Sequence, residues 1–176
     1  NDPLPELAPD SSHEKTLRTL AKTLRLGHYR KMVVDDDFSS RLFDAYFERL
    51  DKNKLYFLAS DIEQFERHRY QLDDDIAHSD VDFAFLVFNR YQQRTQERLE
   101  YLLTRIDAGL NLLDFNLDEQ LETDRAESNW ATTKEELDDL WRKRLKSTVL
   151  NFRLSDKDSE DTEALLKKRY QSQIKR

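Results

Sequence analysis

The side chains of this chain that could do chemistry are dispersed rather than gathered. Its four histidines, His13, His28, His68 and His78, stand apart, and no two are four residues from each other. The chain has no cysteine, so a zinc site would have to draw histidines and carboxylates from distant segments. A dinuclear iron bundle needs paired Glu-x-x-His motifs, and no glutamate here has a histidine three residues on. The triplets Asp35–Asp37 and Asp73–Asp75 lack the spaced oxygen ligands and turn glycine of a calcium loop. They suit helix N-termini, where negative charge meets the positive end of the helix dipole. A serine nucleophile needs a base and an oxyanion hole of backbone N–H groups. Ser39, Ser40 and Ser60 stand at helix starts, where capping is the ordinary role, and no glycine flanks any serine. No residue is assigned as catalytic, cofactor-binding or metal-ligating.

The elements that would position such groups are helices. Of 176 residues only 2 are glycine and 3 proline, and Pro3, Pro5 and Pro9 all lie at the start. That supply of turn residues is too small for a β-fold or a phosphate loop. The expected fold is all-α, an irregular domain of about six helices with one long central helix. Residues 1–10 read as a linker and residues 11–176 as a single helical domain. The first helix spans about Ser12–Leu26, with Ser11 and Glu14 as a capping box, the stripe Leu17, Leu20, Ala21 and Leu24, and Gly27 as its stop. A second follows Asp37 and carries Leu42, Phe43, Tyr46, Phe47 and Leu50. A third runs from Ser60 to about Ile76. The fourth, from about Val81 to Asp107, has the stripe Val81, Phe85, Phe88, Tyr91, Leu99, Leu102, Leu103 and Ile106. Leu110–Asn129 has no period and reads as an irregular connection. A fifth helix opens at Thr132, Thr133, Glu135 and Glu136 and carries Leu137, Leu140, Trp141, Leu145, Val149 and Phe152. A sixth starts near Ser159 with Leu165, Leu166, Tyr170 and Ile174, and ends in Lys175 and Arg176.

A net charge of −7 argues against a nucleic-acid footprint. The longest apolar run, Phe83–Phe88, is far too short to span a membrane. No signal peptide stands at the start, which leaves a cytosolic chain or a processed one.

The most unusual stretch is Leu50–Phe65, LDKNKLYFLASDIEQF. A polar turn (Asp51, Lys52, Asn53) gives way to the apolar run Leu55, Tyr56, Phe57 and Leu58, then to Ser60 and Glu63 at capping-box spacing. Connections between helices normally run polar over the surface, so this one must be covered. Trp130 and Trp141 are expected to be core or near-core anchors.

The order of GHYR (Gly27–Arg30), LFDAYFERLD (Leu42–Asp51), LYFLASDIEQF (Leu55–Phe65), Asp124-Arg125, Trp130, ELDDLW (Glu136–Trp141) and KKRY (Lys167–Tyr170) resembles the N-terminal helical region of the tail-specific (C-terminal processing) proteases of the bacterial periplasm. The resemblance covers nearly the whole chain. It implies a periplasmic location and a parent serine endopeptidase with a PDZ domain, a Ser/Lys dyad and substrates recognised by apolar C-termini. Neither the dyad nor a PDZ carboxylate loop maps onto this chain, whose only glycines are Gly27 and Gly109. The role implied is a non-catalytic platform docking the PDZ and protease domains or an adaptor. The alternative is a free-standing helical interaction protein. No cofactor is expected.

The first half of the fourth helix is apolar nearly all round, since Phe83, Leu86 and Val87 project away from its stripe. It is therefore expected to be sandwiched, and its polar second half to face water. The sharper expectation is a docking patch of Tyr56, Phe57, Phe83 and Leu86.

Overall fold

The computed structural model describes residues 5–26, 33–155 and 159–174, with only the backbone at 24–26 and 159–160. The helices are α1 (Ser11–Leu26), α2 (Asp36–Asp51), α3 (Ala59–Glu66), α4 (Leu72–His78), α5 (Asp82–Ala108), α6 (Lys134–Leu154) and α7 (Ser159–Ile174), with a 3-10 turn at Leu110–Leu112. The fold is all-α, and among the described residues β pairing is confined to one parallel bridge, Leu58 to Ala131. The stop expected at Gly27, the GHYR motif, the side chain of Leu24, and Lys175 and Arg176 lie outside the described residues.

Local chemistry sets most helix starts. The Asp35 carboxylate caps α2 by accepting from the Phe38 N–H, with Asp36 and Asp37 in the first turn. Asp73–Asp75 likewise fill the first turn of α4. Thr133 caps α6, its hydroxyl accepting from the Glu136 N–H, while the Glu136 carboxylate takes the N–H and hydroxyl of Thr132. Two expected caps are displaced. Asp10, not Ser11, serves α1 by accepting from the N–H and hydroxyl of Ser12. Ser60 stands inside α3, which begins at Ala59.

Where length and composition suggest one domain over 11–176, the contacts group into two compact units. The first is Asn1–Lys52 with Ala59–Gln93, and the second is Asn53–Leu58 with Arg94–Arg176. The chain thus leaves the first unit for six residues and returns, and α5 contributes its first half to one unit and its second half to the other.

The first unit is built on phenylalanine. Phe43, Phe47, Phe65 and Phe83 are buried, and their ring centroids lie 4.7–6.2 Å apart around the cluster. His68 stacks on Phe83 at 4.9 Å. The single helix expected over 60–76 is two helices, and a serine explains the break. In a continuous helix the Leu72 N–H would pair with the His68 carbonyl and the Asp73 N–H with the Arg69 carbonyl. Instead the fully buried Ser39 hydroxyl, from α2, accepts from the Leu72 N–H at 2.8 Å and donates to the Arg69 carbonyl at 2.9 Å. Arg69 reinforces the turn by pairing with Glu66 and Asp44 and lying 4.4 Å over the Phe43 ring. Ser39→Ala strands a buried N–H and destabilises the chain by about 1–3 kcal/mol. Urea unfolding measures this, and a change of only a few tenths would contradict the role given to Ser39.

The first half of α5 buries Phe83 and Val87, while Leu86 and Phe88 are exposed. It is therefore not sandwiched, and the expected stripe through Phe88 is incorrect there. The second half follows the expected stripe, with Leu99, Leu102 and Ile106 buried. Yet Arg98 on that half is also buried, paired with Asp138 of α6. Each half presents the face its own unit needs, which one helical wheel across all 27 residues cannot represent. The segment before α1 is tied down as well, because the Asn89 amide accepts from the Leu7 N–H and donates to the Leu7 carbonyl.

Candidate functional site

The apolar connection between α2 and α3 is a strap of the second unit. Asn53 and Lys54 turn it, with Lys54 in the left-handed region at φ 52°. Leu55 and Phe57 point into the unit and are buried, Phe57 completely. Tyr56 is half-buried, its ring 5.5 Å from that of Trp141. The cover comes from both sides of the α6 N-terminus. The Trp141 indole N–H donates to the Leu55 carbonyl at 2.7 Å, and the Trp130 ring meets Phe57 edge-on at 6.1 Å. Asn53 accepts from the Arg125 N–H, and the Lys54 ammonium donates to the carbonyls of Ala126 and Ser128. The Asp124-Arg125 and Trp130 motifs thus close on the same six residues as the aromatic run. Trp141 is a core anchor and Trp130 a half-buried one.

The connection from Leu113 to Ala131 has no helix or strand of its own, and charges hold it. Arg153 stacks 3.9 Å over Phe115. Glu119 receives Arg142 and Lys146 of α6. Hydrogen bonds from these two cations, against a smaller cost of burial, hold the Glu119 carboxyl down at about 2, below the usual 4.5. A depressed carboxylate stabilises the fold above its unfolded value, and that contribution is lost as pH falls through the folded value. Glu119 therefore adds full stability above about pH 5 and loses it progressively between about pH 4.5 and pH 2. Glu119→Gln lowers stability at pH 6 and narrows to parity with the parent chain near pH 2, measured by urea unfolding at each pH. An undiminished gap at pH 2 would show that the ion pair is not the cause.

Of the four residues expected to form one docking patch, two are buried. Phe57 and Phe83 are core residues of different units, each enclosed by aromatic neighbours, and Tyr56 packs on Trp141. Only Leu86, 46% exposed, is open to water. Open apolar surface lies where the sequence reading did not place it. Leu150 and Leu154 stand one turn apart on α6 at 44% and 76% exposure, and Leu112, Leu117 and Leu165 are exposed in the same unit. Their signal was the spacing four apart of Leu150 and Leu154 off the α6 stripe.

Among the described residues no three of His, Asp and Glu come close enough to hold a metal ion. His13 lies against Asp10 and Phe85, His68 stacks on Phe83 and His78 meets the Asp74 carbonyl; His28 lies outside the described residues. Ser39 is engaged by backbone on both sides. Among the described residues no helix is long and apolar enough to cross a membrane. The arrangement packs and presents surface.

Residues 20–176 match the family described as the tail specific protease N-terminal domain. The chain is 36% identical over 171 residues to the tail-specific protease of Haemophilus influenzae, an alignment covering 96% of this chain and 24% of that protein. The chain therefore spans about a quarter of that relative's length. The match takes in the strap, its Trp130 and Trp141 cover, and every helix from α2 to α7, and on that basis the chain belongs to the tail-specific protease N-terminal domain family.

Proposed function

We propose that this chain is the non-catalytic N-terminal platform of a longer periplasmic tail-specific serine protease, and that it docks the PDZ and protease domains of the same polypeptide. The parent would cleave proteins recognised by their apolar C-termini, with a Ser/Lys dyad supplied by sequence outside these residues. The observation that carries the docking reading is the pair Leu150 and Leu154, exposed one turn apart on α6. Two leucines one turn apart and open to water are apolar surface that an interface would bury, and the Haemophilus influenzae relative, of which this chain spans 24%, carries further sequence of the kind that would supply the cover. An external adaptor protein would use the same surface.

The test is association in trans. This chain, mixed with the remainder of the parent polypeptide expressed separately, should co-elute from a sizing column. The double variant Leu150→Asp, Leu154→Asp should keep its melting temperature and fail to co-elute. Co-elution of the variant, or of neither form, would remove the platform reading and favour a free-standing helical interaction protein.

A further inference from the structure

We propose that the second unit carries a carboxylate-binding groove, in which Arg144 and Arg169 together receive the carboxylate of a peptide. The groove, about 310 Å³, lies between α6, α7, the strap and the connection before α6. That is the lower end of the range for small-ligand sites. The surface the groove presents is mainly polar, with Tyr56, Leu121, Trp141 and Leu145 among its lining, and no acidic side chain lines it. The chain carries net charge −7, and Arg69, Arg90, Arg98 and Arg142 each hold a carboxylate. Among the described residues Arg144 and Arg169 have none within ion-pair reach. The Arg144 guanidinium lies 5.4 Å over the Trp141 ring, and that of Arg169 6.0 Å from the ring of its neighbour Tyr170. Stacking of this kind engages the face of a guanidinium and leaves its edge N–H donors free.

Arg144, Arg169 and Tyr170 line the groove together; burial raises the Tyr170 phenol, and the charges of Arg169 and Arg144 oppose that rise. The geometry favours a carboxylate over a phosphate. Phosphate sites draw on free backbone N–H groups at a helix N-terminus. Here the groove runs along the middle of α6 and the last turns of α7 (Ser159–Ile174), where the backbone N–H groups are already bonded within the helices. The available charged donors are two planar forks, which match a planar carboxylate. The polar lining, with Thr123, Ser147, Thr148 and Gln173, suits the amide groups of a peptide beside that carboxylate, which is borne on an acidic side chain or on the terminus.

Calorimetry on this chain tests the groove with acetyl-Leu-Glu-Leu-amide against its Gln twin, acetyl-Leu-Leu with a free carboxyl against its amide twin, and inorganic phosphate. At least one carboxylate peptide should bind about tenfold or more tightly than its neutral twin. Which pair discriminates tells whether the carboxylate comes from a side chain or a chain end. Binding should weaken with salt. Arg169→Gln, at an exposed position, should lose about tenfold with its melting temperature unchanged. Arg144→Lys keeps the charge, loses the fork and should also bind more weakly. Equal binding of both twins in both pairs, phosphate binding as tightly as the peptides, or either variant binding as the parent chain does would overturn the proposal.

Discussion

Trp141→Ala lowers the unfolding free energy of this chain by about 3–5 kcal/mol. The indole is buried within the cluster of Leu55, Leu99, Leu102, Ile106, Leu145 and Tyr170. It is also the hydrogen-bond donor that fixes the strap through the Leu55 carbonyl. The alanine variant leaves a cavity and an unpaired carbonyl together. Trp141→Phe separates the two effects, because it retains most of the buried area and loses only the N–H. Its cost should be about 1–3 kcal/mol, the penalty for a stranded buried group. Urea unfolding of both variants measures the difference. Equal losses would mean that the cavity adds nothing to the loss of the strap bond, a costless Trp141→Phe would mean that the bond contributes nothing, and no loss in either would place Trp141 outside the core.

Phe83→Ala has a comparable effect in the first unit, about 3–5 kcal/mol. Phe83 touches Phe43, Phe65 and His68 at 6.1, 6.2 and 4.9 Å between ring centroids, so its removal opens the centre of the aromatic cluster. Leu86, three residues on and largely in water, is the internal control. Leu86→Ala should stay within about 0.5 kcal/mol of the parent chain. Thermal and urea unfolding of the pair decide between core and surface. A stable Phe83→Ala chain would return Phe83 to an exposed patch, and a collapse of Leu86→Ala would place Leu86 in the core.

The parts of this fold legible in the sequence are those fixed by local chemistry and by one buried face. The α6 stripe from Leu137 to Val149 reads directly as the buried set, because one side of that helix meets one core. The acidic triplets read as helix starts because the dipole preference is local. Leu110–Asn129 reads as irregular because nothing in it repeats, and it is held instead by ion pairs such as Glu119 with Arg142. What stayed hidden depends on partners distant in sequence. The break between α3 and α4 comes from Ser39, 30 residues before Arg69. The buried face of α5 changes because its halves serve different units. Two residues expected on the docking patch, Phe57 and Phe83, are buried. Hydrophobicity alone marks Phe57 and Phe83 as residues to be covered, and the tertiary fold covers them within their own units. Leu150 and Leu154 look like ordinary helix leucines until the stripe beside them is seen to be the buried one.

The central claim is that the exposed leucines of α6 are an interface within a larger protease. Hydroxyl-radical footprinting of side chains, carried out on this chain alone and on the parent protein, measures it directly. The account predicts strong labelling of Leu150 and Leu154 in the isolated chain, where they are 44% and 76% exposed, and strong protection of both in the parent. Buried Leu145 and Val149 on the same helix should be weakly labelled in both samples. Labelling of Leu150 and Leu154 that is equal in the two samples would contradict the account.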